Sequence, residues 1–381
     1  MTASVSSAPP VAERSKHPFL TYDMICEIPE TVSRTIDISN DHLTSISEKL
    51  KEKTRFYFTG CGTAFFSAML GSNILSIKEK GSLDAECVQA LELANHHSIA
   101  QNSATFGVSH SGITKTTIDA LCAAKSAGSY AVGITHFADR PIERIANQTL
   151  VVGNGPDKSR CHTKCYLAGA LPLTQIITRA LAQRRSAPDG RLQDLQEGVK
   201  ELPGLARKVL ASTEPIMREL AKKNAGKQTF YFAGTGGSYA NALEAALKIM
   251  ETSYIPAQGF ETEQFLHGPW VSLDEHSVLF VMATEARTNE RSADLVKAAS
   301  GLGSTVIALV NEEDRKMATI CNNTVHLPLI DEQLSPYLSI IPLYLFSYYL
   351  CVERGNNPDY LRYLTPAYWD ARTIIFPPGT H

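Results

Sequence analysis

The sequence predicts an α/β protein of two tandem three-layer α/β/α sandwiches, in which each half is a parallel sheet between helices and a pseudo-twofold axis relates the halves. The chain has 381 residues, of which 44% are hydrophobic and 20% charged, so two halves with packed cores are expected. A strand, a Gly-rich turn and a helix occur near residue 55 and again near residue 230. Strand-like runs alternate with helical patterns in both halves, which is typical of parallel sheets.

The repeated unit is clearest over residues 229–252. Its apolar run at 230–233 predicts a short buried strand. The Gly-rich turn that follows lets backbone N–H groups face a ligand, and a helix is predicted from about residue 239 to about residue 252. The unit near residue 55 matches at an offset of 174 residues (56 to 230), which indicates an internal duplication. Phe56, Tyr57, Phe58, Gly60, Gly62 and Ala68 fall on Phe230, Tyr231, Phe232, Gly234, Gly236 and Ala242.

The other elements are predicted in chain order from the same patterns. Residues 1–16 have no apolar signal core and are expected to be a flexible tail. The predicted strands are 104–109, 129–134 and 149–153, then 277–283, 305–309 and 324–327, with helices at 164–183 and 192–224 bridging the halves. The predicted domains are a helical lead-in at 17–50, a first sandwich at 51–183, a linker and bridging helix at 184–226, a second sandwich at 227–355 and a C-terminal tail at 356–381.

Composition and charge exclude several classes of function. The net charge of −3 provides no general attraction to nucleic acid or to an anionic membrane. No run approaches about eighteen uninterrupted apolar residues, so no transmembrane span is expected. The eight cysteines are scattered, as in a protein of a reducing compartment, and a cytoplasmic location is expected. Cys161, His162 and Cys165 lack a second ligand pair at zinc-like spacing, so neither a metal nor a cofactor is expected.

Three charged residues share one stripe of the second repeated helix. Glu244 and Lys248 are spaced i, i+4, and Lys248 and Glu251 are spaced i, i+3. One interpretation is a solvated face whose ion pairs contribute roughly 0.2–0.5 kcal/mol each. The apolar flanking sequence and the downstream turn at His267, Gly268 and Pro269 favour a second interpretation. In it, a carboxylate and an imidazole form an acid/base pair that acts on one small ligand.

A polar loop follows the predicted strand at 104–109, just before a helix. Ser109, His110, Ser111 and Thr114 provide more polar side chains than a helix cap needs, although a cap remains the alternative. Hydroxyls and free N–H groups at a helix N-terminus suit a phosphate dianion. The corresponding second-half strand is followed by Glu285, which would repel phosphate. One half is therefore expected to bind the anion and the other to supply the acid and base.

The motif ALExALKxxExSY, which starts at Ala242, is followed by the His-Gly-Pro turn at His267. This pattern resembles the sugar isomerase (SIS) family, and within it the isomerase half of glucosamine-6-phosphate synthase and the deglycases that cleave phosphorylated Amadori compounds. The resemblance implies two tandem SIS-type sandwiches that bind a sugar phosphate. It also implies a homodimer or a dimer of dimers, because His267 commonly reaches the active site from the neighbouring subunit in this family.

The resemblance assigns the first-half loops to the ligand. Phosphate is expected in an S-x-S-G-x-T loop, here Ser109, Ser111 and Thr114, with His110 where a Gln is usual. The sugar is expected over the turn formed by Cys61, Gly62 and Thr63. Ala64 stands where a Ser is usual, so one hydroxyl to the phosphate is missing. Either His110 compensates or the anion differs.

The segment 155–164 matches in length a family segment that closes over the ligand. Thr163 and Lys164 match it directly and are expected to contact the substrate. Lys158 and Arg160 replace neutral residues. We expect these two to bind a second anionic group, such as the carboxylate of an amino acid attached to the sugar, with solvated side chains as the alternative.

By resemblance, Glu251 moves a proton between C1 and C2, and His267 assists ring opening or protonates the leaving amine. Lys248 is expected to stabilise the charge of Glu251, and Glu244 to balance Lys248. The synthase ends in a tail near the active site whose Lys forms a Schiff base, but Pro366 stands in that position here.

The sequence also holds no glutaminase domain. Both differences favour deglycase cleavage of a fructosamine 6-phosphate. The alternatives are a glucosamine-6-phosphate isomerase/deaminase, an aminotransferase-type reaction with free ammonia, or a regulatory module that binds without turnover.

Overall fold

Two five-stranded parallel sheets form the two halves of the chain in a computed structural model, which describes residues 10–38, 40–76, 83–185 and 189–377. Residues 1–9 of the predicted tail, 186–188 of the predicted linker and 378–381 lie outside the described residues. The first sheet has the order β2-β1-β3-β4-β5 and the second β10-β9-β8-β6-β7. Counted from the first strand of each half, the two orders are identical, so the predicted tandem α/β fold is confirmed.

The strands of the first half are β1 (Arg55–Thr59), β2 (Asp84–Cys87), β3 (Ser103–Val108), β4 (Tyr130–Thr135) and β5 (Gln148–Val151). Those of the second are β6 (Thr229–Gly234), β7 (Ala257–Glu261), β8 (Ser277–Ala283), β9 (Thr305–Asn311) and β10 (Asn323–Leu327). The edge strands β2 and β7 were not predicted, because neither is a continuous apolar run. β2 is mostly exposed, so its sequence carries little of the hydrophobic signal that identifies a buried strand.

The helices surround and join the sheets. In chain order they are α1 (Leu20–Cys26), α2 (Ile28–Ile36), α3 (Asn40–Leu50), α4 (Thr63–Ser72), α5 (Ala90–Asn95), α6 (Lys115–Ser126), α7 (Pro141–Ile145), α8 (Lys164–Gln183), α9 (Gly190–Asn224), α10 (Gly237–Ser253), α11 (Thr262–Leu266), α12 (Asn289–Gly301), α13 (Arg315–Ala318), α14 (Ser335–Glu353) and α15 (Pro366–Ile375). The predicted lead-in is therefore three helices, α1 to α3. The two bridging helices are present as α8 and α9.

The halves meet through the helices that follow the two Gly-rich turns. Helix α4 packs against α8, α10 packs against α14, and α4 and α10 pack against each other. Helix α14 is long and apolar enough to cross a membrane by length and composition, but 94% of its apolar stretch is buried inside the protein. Its apolar surface is covered by α9 and α10, so it serves as a core helix.

The two Gly-rich turns have the same backbone conformation. Gly62 has φ 55° and ψ −133°, and Gly236, its match in the repeat, has φ 52° and ψ −127°. Glycine is required at such positive φ values. The turns differ in what lies over them. Among the described residues, a Cβ on Gly62 would meet no atom within 4 Å, whereas one on Gly236 would lie 2.6 Å from Oε1 of Glu285. The second-half turn is therefore covered by a carboxylate, and the first-half turn is open.

Candidate active site

An open cleft of 630 Å³ lies at the carboxyl ends of β1 and β3, where ligands bind in open α/β sheets. The loops after these strands form one wall, and α10 and the C-terminal tail form the others. Because α10 packs across α4, the second half brings its charged stripe to the first half's sheet edge. The predicted residues that line the cleft are Cys61, Gly62, Thr63, His110, Ser111, Thr114, Arg160, Lys248 and Glu251.

Lys248 is the centre of a buried charge cluster. Its Nζ lies 2.6 Å from Oε2 of Glu251 and 3.4 Å from Oε1 of Glu244, and it donates to Oγ1 of Thr63 at 3.1 Å. The side chains of Lys248 and Glu244 are 1% and 0% exposed, whereas Glu251 keeps 25% exposure towards the cleft. A solvated face, the simpler interpretation of this stripe, does not describe these residues.

Glu244 lies below the cleft and supports Lys248. It accepts hydrogen bonds from the hydroxyls of Tyr344 at 2.9 Å and Thr63 at 3.3 Å. Burial raises the pKa of Glu244 to about 7, although Lys248 opposes the rise. Burial alone would lower the pKa of Lys248, but Glu244 and Glu251 outweigh it and hold that pKa above its ordinary value. The ammonium therefore stays charged and fixed between two carboxyl groups.

The loop after β3 turns its hydroxyls towards the cleft at the start of α6. Ser109 lies beneath the surface, where its hydroxyl donates to Oγ1 of Thr114 at 3.0 Å and accepts from the N–H of Gly112 at 3.1 Å. Thr114 occupies the N-cap position but makes no side-chain capping bond within the described chain. Ser111 and Thr114 line the cleft itself. The loop thus holds hydroxyls beside a helix N-terminus without using Thr114 as a side-chain cap.

Two expected substrate contacts in segment 155–164 are engaged elsewhere. Nζ of Lys164, a buried residue, donates to Oε2 of Glu27 at 2.6 Å and to Oδ1 of Asn154 at 3.0 Å. The hydroxyl and N–H of Thr163 contact Asp157 at 3.4 and 3.3 Å. A lysine at the start of α8 remains buried because Glu27 neutralises it. In this structure Thr163 and Lys164 hold the segment through these contacts, and a direct contact of either residue with substrate stays a prediction.

Lys158 and His267 also lie outside the cleft of this chain. The Lys158 side chain is exposed and its backbone N–H points to Sδ of Met24, so only Arg160 of the predicted basic pair lines the cleft. His267 is 69% exposed, and its Nδ1 lies 2.9 Å from the backbone oxygen of Glu263. The cleft therefore contains no imidazole from the His-Gly-Pro turn of the same chain.

The C-terminal tail closes one side of the cleft with residues that the sequence interpretation did not single out. The carboxylate of Asp359 accepts the N–H groups of Leu20 and Thr21 at the start of α1. From this anchor the tail returns over the cleft, where Leu361, Tyr363, Arg372 and Phe376 line it. The guanidinium of Arg372 lies 5.1 Å from the Trp369 ring and 5.6 Å from the Tyr363 ring. The many aromatic and arginine residues of the tail were the sequence signal that could have indicated its place beside the cleft.

Three histidines meet behind the polar loop. The ring of His110 lies 5.4 Å from that of His136 and 5.6 Å from that of His162. Burial lowers the pKa of all three rings, that of His110 to well below its ordinary value and that of His136 to about 4. These rings are therefore neutral near neutral pH. Sequence reasoning placed His110 at the ligand but did not predict its two histidine neighbours.

The fold and cleft define a tandem α/β architecture with a polar cleft at the carboxyl ends of the first sheet's strands. The SIS domain family matches residues 49–173 and 225–354, and the chain belongs to this family. The glutamine–fructose-6-phosphate aminotransferase (isomerizing) of Clostridium tetani is 26% identical over 357 residues, which cover 91% of this chain and 58% of that relative. The chain thus spans little more than half of the length of this curated relative.

Solved structures share the fold. The C-terminal domain of glucosamine-fructose-6-phosphate aminotransferase from Francisella tularensis superposes with a TM-score of 0.82 at 20% identity. The match covers 90% of the present chain and 98% of the Francisella domain. Glucosamine-6-phosphate deaminase from Thermotoga maritima has a TM-score of 0.73 at 19% identity and covers 91% of this chain and 98% of that chain. At these identities the likeness is one of fold.

Proposed function

We propose that the cleft binds an amine-conjugated ketose phosphate and that the protein cleaves it, as a deglycase cleaves a fructosamine 6-phosphate to hexose phosphate and amine. One observation carries the proposal. Among the described residues that line the cleft, the only lysine is Lys248, and two carboxyl groups already hold its ammonium. A lysine held this way is a poor nucleophile for Schiff-base formation, whereas Glu251 beside it is suited to acid–base chemistry.

The charge distribution supports a substrate with two anionic groups. Ser111, Thr114 and the N-terminus of α6 suit a phosphate group, because hydroxyl and N–H donors converge there. Arg160 and Arg372 line the cleft from two other elements. Guanidinium groups pair with carboxylates in a bidentate manner, so these two suit the carboxylate of an amino-acid conjugate.

In the proposed mechanism, Glu251 takes a proton from C1 of the open-chain ketosamine and returns it to C2. O2 gains a proton and the nitrogen loses one, so the C2 ketone becomes an alcohol and the C1–N bond becomes an imine. Water then adds to the imine, which yields the aldehyde and the free amine. The contact of Lys248 with Oε2 at 2.6 Å fixes the Glu251 carboxylate for this transfer.

We include in the proposal a homodimer in which His267 of the partner subunit completes the site. On its own chain His267 is outside the cleft and exposed, and the neighbouring Trp270 and Val271 are exposed apolar side chains. Exposed apolar residues of this kind suit a protein interface. In the dimer the imidazole would assist ring opening or protonate the leaving amine.

A second candidate reaction uses ammonia. The relatives include an aminotransferase and a deaminase, which favours formation or deamination of glucosamine 6-phosphate. The tail weighs against the aminotransferase route. Pro366, which replaces the lysine that the resemblance expects, has no amine. A regulatory module would bind the same ligands but release nothing.

The test is an incubation of the full chain with fructosamine 6-phosphates of amino acids and of simple amines, and with glucosamine 6-phosphate. Cleavage of the amino-acid conjugates, read as released amine and hexose phosphate, is the expected result. Glu251→Gln should reduce kcat by about 10²–10⁴-fold and change ligand affinity only a few-fold. Release of ammonia from glucosamine 6-phosphate alone would replace the proposal by the deaminase, and binding without any release would replace it by the regulatory module.

A further inference from the structure

A group of nitrogen and sulfur atoms lies at the back of the cleft, apart from the Lys248 cluster. His110, His162 and Cys165 each place one side-chain donor so that the three atoms lie within 4.8 Å of one another. His110 follows β3, His162 precedes α8, and Cys165 lies in the first turn of α8. The segment 161–165 alone is short of ligands, and the fold supplies His110 from a distant part of the chain.

The two ring nitrogens of His110 are buried without partners among the described residues. Within the part of the chain that the structure describes, neither Nδ1 nor Nε2 of His110 has a hydrogen-bond partner, although both atoms are inaccessible to water. His136, which is 6% exposed, packs its ring against that of His110. Buried polar atoms without partners are costly, and they are normally satisfied by protein, water or an ion. A cation bound to the lone-pair nitrogen of the neutral His110 ring would satisfy that atom.

The donor set and its spacing suit a zinc-type cation. Imidazole nitrogen and thiolate sulfur are the ligands that Zn²⁺ prefers. Bonds of about 2.0–2.3 Å in tetrahedral geometry separate ligand atoms by roughly 3.3–3.8 Å, so only small side-chain movements are needed. Oδ2 of Asp157 accepts the N–H of Cys165 at 3.2 Å and of Thr163 at 3.3 Å. These bonds fix the backbone that presents two of the ligands.

We propose that His110, His162 and Cys165 bind one zinc-type divalent cation whose fourth coordination position opens towards the cleft. His110 and His162 line the cleft, whereas Cys165 is buried beneath it. The uncovered side of the cation therefore faces the substrate space. The Cys165 thiol releases its proton when the cation binds, because the thiolate is the ligand. Cation binding here does not depend on the reaction proposed above.

The experiment uses the full chain, stripped with a chelator and titrated with Co²⁺ as a coloured substitute for Zn²⁺. One Co²⁺ per chain is expected, with the visible bands of a tetrahedral site and a sulfur-to-cobalt charge-transfer band in the ultraviolet. Inorganic phosphate, added afterwards, should alter the visible bands by reaching the fourth position. Visible bands that phosphate leaves unaltered would overturn the proposal that the fourth coordination position opens towards the cleft.

Variants identify the ligands. Cys165→Ser should abolish the charge-transfer band, and His162→Gln should weaken Co²⁺ binding at least about tenfold. Matched controls are Cys321→Ser, a buried cysteine of the second half, and His276→Gln, an exposed histidine, and neither should change the spectrum. Circular dichroism establishes that each variant is folded. If Cys165→Ser unfolds, the Co²⁺ affinity of His162→Gln, a change at a half-buried residue, serves as the test. No stoichiometric binding, or a charge-transfer band and affinity unchanged in both ligand variants, would overturn the site.

Discussion

Removal of the Lys248 ammonium should destabilise the protein far more than removal of an exposed lysine from a similar ion pair. In Lys248→Met, the carboxyl group of Glu244 loses the cation 3.4 Å away while it stays completely buried. Removing one partner of a buried ion pair costs roughly 3–5 kcal/mol, and the full cost is expected above about pH 7, where Glu244 is ionised beside Lys248. Lys200→Met is the matched control. Its Nζ lies 2.7 Å from Glu197, but both side chains are about two-thirds exposed, so a loss of about 0–1 kcal/mol is expected.

The pH dependence of this loss follows from the pKa of Glu244. A carboxyl group whose pKa rises on folding stabilises the protein fully below its unfolded pKa of 4.5, and this contribution is lost as pH rises through the folded pKa of about 7. Without Lys248 the folded pKa rises further. Below about pH 7 the Glu244 carboxyl group is protonated in the folded state of both the wild type and Lys248→Met, so the difference between their unfolding free energies is constant. Above about pH 7 only the variant still resists ionisation, and the difference grows.

Urea unfolding, followed by circular dichroism at about pH 6 and about pH 9, measures this difference in unfolding free energy. We expect a larger loss for Lys248→Met at the higher pH and no pH dependence for Lys200→Met. The double variant with Glu244→Gln should recover much of the loss, because no charge is left stranded. Equal losses in the two single lysine variants, or a Lys248→Met loss that is the same at both pH values, would refute the buried charge cluster.

Three further predictions concern the cleft. In steady-state assays, Ser111→Ala should raise KM for a phosphorylated substrate more than it lowers kcat. An equal change in the kinetic constants for the unphosphorylated sugar would rule out a contact between Ser111 and the phosphate. Arg160→Met should slow cleavage of amino-acid conjugates selectively, whereas Lys158→Met, outside the cleft, should not; equal losses in both would count against a carboxylate contact. Mixing inactive Glu251→Gln and His267→Asn subunits should restore roughly a quarter of the activity if each site uses Glu251 of one subunit and His267 of the other, because about half of the dimers are then mixed and one of their two sites is intact. No recovery after subunit exchange would show that each site is built from a single subunit.

The loops around the cleft show how far the sequence alone could lead. The Gly turns at Gly62 and Gly236, the alternation of strands and helices and the apolar setting of Lys248 are all local patterns. Turn chemistry and hydrophobic periodicity depend on neighbours in the chain, so these features could be predicted. They were enough to predict the two sandwiches and to bring Ser111, Thr114 and Glu251 to one candidate site.

Other features depended on how distant segments pack. Lys164 was expected to face the substrate, but Glu27 of the lead-in helices neutralises it inside the protein. Arg372 reaches the cleft because Asp359 anchors the tail to the start of α1. His110 meets Cys165 only through the packing of α8 behind the loop after β3.

The sequence by itself thus determined the repeated α/β units, the Gly turns and the charged stripe on α10. Each of these is set by residues close together in the chain. Only the tertiary structure decided which of two neighbouring basic residues, Lys158 or Arg160, lines the cleft, and which nitrogen and sulfur donors converge beside it. Those outcomes depend on the packing of helices and loops that lie far apart in the sequence, and no local pattern encodes that packing.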